Sequence, residues 1–161
     1  MKRWTASELM ETRSVVLTPE TAIHDAMQLL LKKKLTGAAV VTEDRRIVGI
    51  LSEKDCLKVM TAGAFEQRPE GNVKDYMTHP AVTVHEDTTI YEIAHRFLEN
   101  HFRRLPVVDS NGSLVGVVSR ARLLEAMGSM RDSATAPAPD GTIATHDSMG
   151  VDSAMRIARG Q

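Results

Sequence analysis

Hydrophobic and polar positions along this chain follow two periods, and the same succession of periods occurs twice. A short apolar run, Val15-Val16-Leu17, predicts a strand. Ile23, Ala26, Met27, Leu30 and Leu31 then recur at the three- and four-residue spacing of a helix that buries one stripe. Lys32, Lys33 and Lys34 fall in the last turn of that helix, where cations meet the negative end of its dipole, and Gly37 follows as a stop signal. Two strands at residues 38–42 and 46–51 and a closing helix at 53–60 complete the set. Further on, Val82-Thr83-Val84 predicts another strand, and Ile90, Ile93, Ala94, Phe97 and Leu98 a second striped helix. Strands at 105–108 and 113–118 follow, joined by Asp109-Ser110-Asn111-Gly112 with its Asn-Gly hairpin signal, and a helix at 120–127 closes the second set. Pro106, which has no N–H to donate, predicts an edge position for its strand.

The two sets are copies. A shift of 67 residues superposes 10–60 on 77–127 without a gap, with identities such as Met10/Met77, Thr21/Thr88, Val40/Val107, Gly49/Gly116, Ser52/Ser119 and Met60/Met127. A unit of about 60 residues buries only ~60% of the surface its unfolded chain exposes, so the copies are expected to pack on each other. The fold class is α/β (α+β): tandem strand-helix-hairpin-helix repeats packed as a pseudo-two-fold pair. The expected organisation is repeat 1 at 6–60, a Gly-, Pro- and polar-rich connector at 61–72, repeat 2 at 73–127 and a disordered tail at 128–161. Val151, Ala154, Met155 and Ala158 have a weak helical spacing, but solvated coil is the expectation there.

Composition narrows the classes. The 161 residues carry a net charge of −1, so the chain lacks the basic excess that draws a protein to nucleic acid or anionic membrane. Lys32 to Lys34 with Arg103 and Arg104 make nucleic-acid binding a minor alternative. No aliphatic run approaches the ~20 residues of a membrane span, the start lacks an apolar signal segment, and the single cysteine excludes an internal disulfide. A cytoplasmic protein is expected. The six histidines lack the context of a metal site, so no metal is assigned. Cys56 is expected to be a core thiol, and Met27, Met60 and Met127 core residues. No set of nucleophile, base and orienting group appears, so an enzyme is not expected.

Candidate chemistry lies where the third strand of each copy meets its last helix, at GILSEKD (Gly49 to Asp55) and GVVSRAR (Gly116 to Arg122). Ser52 with Asp55 three residues on reads as a capping box, and Gly49 as a bulge or close-packing site. The same geometry also reads as an anion site. Helix-start N–H groups face a phosphate, Ser52 adds a hydroxyl, Asp55 accepts from ribose hydroxyls, and a strand glycine lets the ligand approach the backbone. The element occurs in both copies, beside the basic segment His101 to Arg104, which favours the second reading.

The repeat, the run RRLPVVD (Arg103 to Asp109) and the element at Gly49 to Asp55 together resemble the cystathionine-β-synthase (CBS) domain pair, or Bateman module, over residues 6–127. That resemblance implies a regulatory module without catalytic activity. It would sense an adenosine nucleotide (AMP, ADP, ATP, NAD or S-adenosylmethionine) in a cleft between the repeats, with no required cofactor, and would signal in trans to a regulated protein, as a homodimer. The other expectation is a scaffold that keeps the fold, has lost the ligand and binds protein partners. Carried over by residue, the resemblance makes Asp55 the ribose-binding acid and Ser52 its adjacent hydroxyl. Thr36, Gly37 and Ala38 become the strand entry that reads the base, Ser14 and Val16 the cleft lining, and Arg103, Arg104 and Arg120 phosphate contacts. In the second copy Arg122 stands where the acid is expected and cannot accept from ribose, so Ser119 and Arg122 are expected to form a degenerate site.

Overall fold

The periodic apolar stripes fold into α2 (Ile23–Lys33) and α5 (Ile90–Glu99) in a computed structural model that describes residues 3–62 and 70–134. Ile23, Ala26 and Leu30 are buried on α2, and Ile90, Ile93 and Phe97 on α5. Leu31 and Leu98, expected in the stripes, are instead 72% and 85% exposed. At 100° per residue the eighth position after Ile23 or Ile90 lies about 80° round from that residue, on the side away from the other two buried positions and so outside the stripe. α2 ends where Lys34 turns into the left-handed region, and α5 begins at a Thr89 capping box whose Oγ1 accepts from Glu92 N–H.

Each repeat contributes one three-stranded sheet. β1 (Val16–Leu17) runs parallel to β2 (Gly37–Val41), which pairs antiparallel with β3 (Ile47–Ser52). β4 (Val84–His85), β5 (Arg104–Val108) and β6 (Leu114–Ser119) repeat the arrangement, down to the irregular register after Val40 and Val107. Pro106 therefore lies in a middle strand, contrary to the edge expectation. It is tolerated because β4 pairs only with Val107 and Val108, leaving β5 without a neighbour on that side at residue 106. The closing helices are α3 (Glu53–Ala62) and α6 (Arg120–Ala134), and α6 runs past the expected stop at Met127. The rest of the expected tail, 135–161, lies outside the described residues, as does most of the expected connector.

Two short helices absent from the sequence reading lock the repeats together. α1 (Ala6–Leu9) and α4 (Val73–Tyr76) each start in a capping box, Thr5 with Glu8 and Asn72 with Asp75. Each lies on the other repeat. The segment around α1 bonds repeat 2 through Ala6 N–H to Thr88 O, Ile90 N–H to Trp4 O, and a reciprocal bridge between Glu11 and Val117. The segment around α4 makes the equivalent bonds to repeat 1, Val73 N–H to Thr21 O, Ile23 N–H to Gly71 O, and the bridge between Thr78 and Ile50. Val73 is consequently a buried member of the repeat 1 core, with Leu17, Ile23, Leu30, Val40 and Leu51. The hairpins also meet, Arg46 pairing with Ser113, its own equivalent across the pseudo-two-fold, and Leu114 packs on Ala39 and Val41.

Gly49 and Gly116 acquire their reason here. A Cβ at Gly49 would stand 2.7 Å from Met77 Sδ and 2.9 Å from Thr78 O, and one at Gly116 2.6 Å from Met10 Sδ. The strand glycines make room for the exchanged segment of the other repeat rather than for a ligand.

Candidate functional site

A cavity of about 290 Å³ opens where the start of α3 meets the entry to β5. Gly37 pairs with Ser52, and Glu53 N–H donates to Thr36 O at 2.9 Å, so the beginning of β2 and the beginning of α3 are fixed side by side. A Cβ at Gly37 would lie 3.0 Å from Leu51 O, so only glycine lets the strands close without a shift. Ser14, Thr36, Gly37, Ala38, Ser52, Arg103 and Arg104 all line this cavity, joining repeat 1 to the basic segment of repeat 2.

Three expected residues are not among its lining. Val16 alternates away from Val15, which does line the cavity, and packs instead with Ala39, Val41 and Leu114. The Arg120 guanidinium lies 5.8 Å over the Phe97 ring and donates to Asn100 O at 3.3 Å. Asp55 is 1% exposed and does not line the cavity. Its Oδ2 accepts from Ser52 N–H and Oγ, both at 2.9 Å, and its Oδ1 from Lys58 Nζ at 2.9 Å and Thr78 Oγ1 at 3.0 Å. Burial alone would raise its pKa, but the Ser52 N–H, Lys58, and the Ser52 and Thr78 hydroxyls outweigh it and hold the carboxyl below the usual range. Asp55 thus orients Ser52, which does face the cavity, and ties it to Thr78 in the exchanged segment of repeat 2.

In repeat 2 the corresponding box is reduced. Ser119 Oγ accepts from Arg122 N–H at 3.1 Å, while the Arg122 side chain turns out to Glu125 at 3.1 Å in an exposed pair. Sequence reasoning missed Glu53, Lys54 and the apolar wall of Leu35, Ile50 and Val117; Lys54 follows Ser52 closely enough to have been found from the helix start. Cys56 is half-buried against the core, and burial, with Asp55 and Glu53 nearby, pushes its thiol pKa up, away from nucleophilic character. Among the described residues no group of three or more His, Cys, Asp or Glu side chains could hold a metal ion, and no helix is long and apolar enough to cross a membrane.

An exchanged pair of small α/β units around a shared cleft defines a class of tandem-repeat modules. The CBS domain model matches this chain twice, over residues 6–62 and 73–129, and the chain belongs to that family. It is 30% identical over 145 residues to protein MJ1426 of Methanocaldococcus jannaschii, covering 71% of this chain and 86% of that one. It is 32% identical over 136 residues to the chloroplastic CBS domain-containing protein CBSX1 of Arabidopsis thaliana, of whose length it spans 58%. Among solved structures, CBSX2 in complex with AMP superposes with a TM-score of 0.70 at 31% identity, covering 80% of this chain and 98% of that one. The CBS pair of MJ0100 with methylthioadenosine and S-adenosylmethionine superposes with a TM-score of 0.68 at 21% identity, a likeness of fold alone.

Proposed function

We propose that this chain is a regulatory module without catalytic activity that binds an adenosine nucleotide in the cleft between its repeats and acts on a partner protein in trans. The observation that carries the reading is the cavity itself. It brings Ser14, Thr36 and Ser52 of one repeat together with Arg103 and Arg104 of the other as donors for ribose and phosphate, beside an apolar bed of Val15, Leu35 and Ile50 for a base. The AMP complex of the similar CBSX2 supports the ligand class. In this proposal Ser52, Thr36 and the two arginines contact the nucleotide. Asp55 reaches a ribose only by releasing Ser52 and Thr78, and otherwise acts by holding Ser52 in place. The second copy, with Arg122 in place of the acid, is the weaker or vacant site.

The homodimer belongs to the same proposal. Leu57 and Met60 on α3 are 62% and 67% exposed, and their equivalents Leu124 and Met127 on α6 are exposed as well. This corrects the expectation that Met60 and Met127 sit in the core. Large apolar side chains left out of both repeats at equivalent positions make matching patches that a second copy can cover. A cytoplasmic location is part of the proposal too.

A thermal-unfolding series with AMP, ATP, NAD and S-adenosylmethionine tests the reading. A nucleotide at 100 times its dissociation constant stabilises by about 2.7 kcal/mol. Absence of any shift supports the alternative, a ligand-free interaction scaffold, which the self-satisfied Asp55 box favours. Sedimentation of the wild type against Leu57→Glu/Leu124→Glu checks the dimer, expected only for the wild type.

A further inference from the structure

The lining of the cleft carries both charged and apolar side chains. Lys54, Arg103 and Arg104 line it and are exposed, and none of the three side chains has a carboxylate or other acceptor partner among the described residues. Further along, Lys58 and Arg122 are both paired, with Asp55 and Glu125. Glu53 is the one acidic residue among the lining, because Asp55 is buried and bonded to Ser52, Lys58 and Thr78. Three cations against one carboxylate leave the cleft with an excess of positive charge that its own side chains do not neutralise. Val15, Leu35, Ile50 and Val117 supply apolar surface to the same cleft. A ligand that matches this lining combines a flat apolar group with several negative charges.

Resting on the nucleotide reading above, we infer that this cleft selects its adenosine ligand by charge, taking ATP over ADP over AMP and rejecting S-adenosylmethionine. Each added phosphate brings acceptor oxygens for guanidinium and ammonium donors that otherwise face solvent. The sulfonium of S-adenosylmethionine places a positive charge in the same cleft, where like charges repel. Selection then lies in the cation count of the lining, which Arg103 and Arg104 contribute from repeat 2, while the apolar surface holds the adenosine common to all these ligands.

Isothermal titration of the full chain with adenosine, AMP, ADP, ATP and S-adenosylmethionine, without divalent cations and at low and high salt, tests this. Affinity is expected to rise about fivefold with each phosphate, discounted for the exposure of the cations. The ATP affinity is expected to fall with salt and the adenosine affinity to stay constant. Arg103→Ala and Arg104→Ala, at exposed positions, should each weaken ATP about fivefold and leave adenosine unchanged within about twofold. Equal affinity for adenosine and ATP, or S-adenosylmethionine binding as tightly as AMP, overturns the charge selection but leaves the adenosine cleft standing. Failure of every ligand, adenosine included, overturns both.

Discussion

Residues 52–58 and 119–125 occupy the same place in the two repeats and hold an ion pair of reversed order. In repeat 1 a buried Asp55 meets Lys58; in repeat 2 Arg122 meets Glu125, and the pair lies in solvent. The backbone around them is the same, with Gly37 paired to Ser52 as Arg104 is to Ser119. The architecture therefore does not depend on which charge stands in the box. It rests on the exchanged segments, the glycines that admit them and the hairpin contact at Arg46 and Ser113, features both halves share. The box is free to differ, and only repeat 1 uses it to connect a cleft to the exchanged segment, through Thr78.

The largest expected effect separates those two boxes. Asp55→Ala removes all four hydrogen bonds of a buried carboxylate, those from half-buried Ser52, from Lys58 and from the exposed Thr78 hydroxyl, so unfolding by urea should show a loss of about 2 kcal/mol. Arg122→Ala, which breaks only an exposed pair, should lose less than about 0.5 kcal/mol. The difference also has a pH signature. The folded pKa of Asp55 is depressed, so its contribution is fully present above the unfolded carboxylate value of about 3.9 and disappears as pH falls through the folded value. Asp55→Asn should flatten the stability profile in that acid range, measured as midpoint denaturant concentration against pH, and equal losses for Asp55→Ala and Arg122→Ala would remove the contrast.

Next come the glycines, where the repeats should behave alike. At Gly49→Ala the Met77 thioether can move but the Thr78 carbonyl cannot. At Gly116→Ala the obstacle behind Met10 is Glu11 O at 3.0 Å. Each substitution should destabilise by about 2 kcal/mol. Because the segments are exchanged, Gly49→Ala should lower hydrogen-exchange protection around α4 and Gly116→Ala around α1, each in the segment led in from the other repeat. Protection lost within the substituted repeat alone would contradict the exchange.

The repeat, the strand-helix-hairpin-helix order and the buried faces of α2 and α5 were readable because each rests on a local period. Part of the cleft lining was legible too: Ser52 from its place at a helix start, and Thr36 to Ala38, Arg103 and Arg104 as positions the family resemblance implied. The exchanged helices were not read: four residues give no period, and Thr5 with Glu8 or Asn72 with Asp75 is a faint signal when the partner surface is another repeat. The reason for Gly49 was hidden likewise, because its neighbour Met77 is remote in sequence. Asp55 was misplaced relative to the cavity because a capping box and a sugar site demand the same residues at the same spacing. Only the bonds to Lys58 and Thr78 show where its oxygens point.

Two smaller asymmetries sharpen the comparison by copying repeat 2 into repeat 1. α5 starts at Thr89 with a complete box, whereas its equivalent at the start of α2 is Ala22, exposed and without a side-chain cap. Asp25 already stands at the third helical position. Ala22→Thr should therefore stabilise by about 1 kcal/mol, read as a rise in thermal midpoint, and the matching Thr89→Ala should lose a similar amount.

The smallest effect concerns the hairpins. Gly112 has φ +79 and its equivalent Arg45 φ +63, a left-handed backbone that a residue with a Cβ adopts only at a cost. The turns are otherwise the same, Gly112 N–H donating to Asp109 O and Arg45 N–H to Thr42 O, and both residues lend their carbonyls to the other hairpin. Arg45→Gly removes the strain, while the added freedom of glycine in the unfolded chain offsets part of the gain. A net stabilisation of about 0.5 kcal/mol is expected in urea unfolding. Gly112→Arg should lose a similar amount, since it introduces the strain while the reduced freedom of the unfolded chain offsets part of the loss; a loss on Arg45→Gly instead would mean that the Arg45 side chain contributes more at this hairpin junction than its backbone gives up.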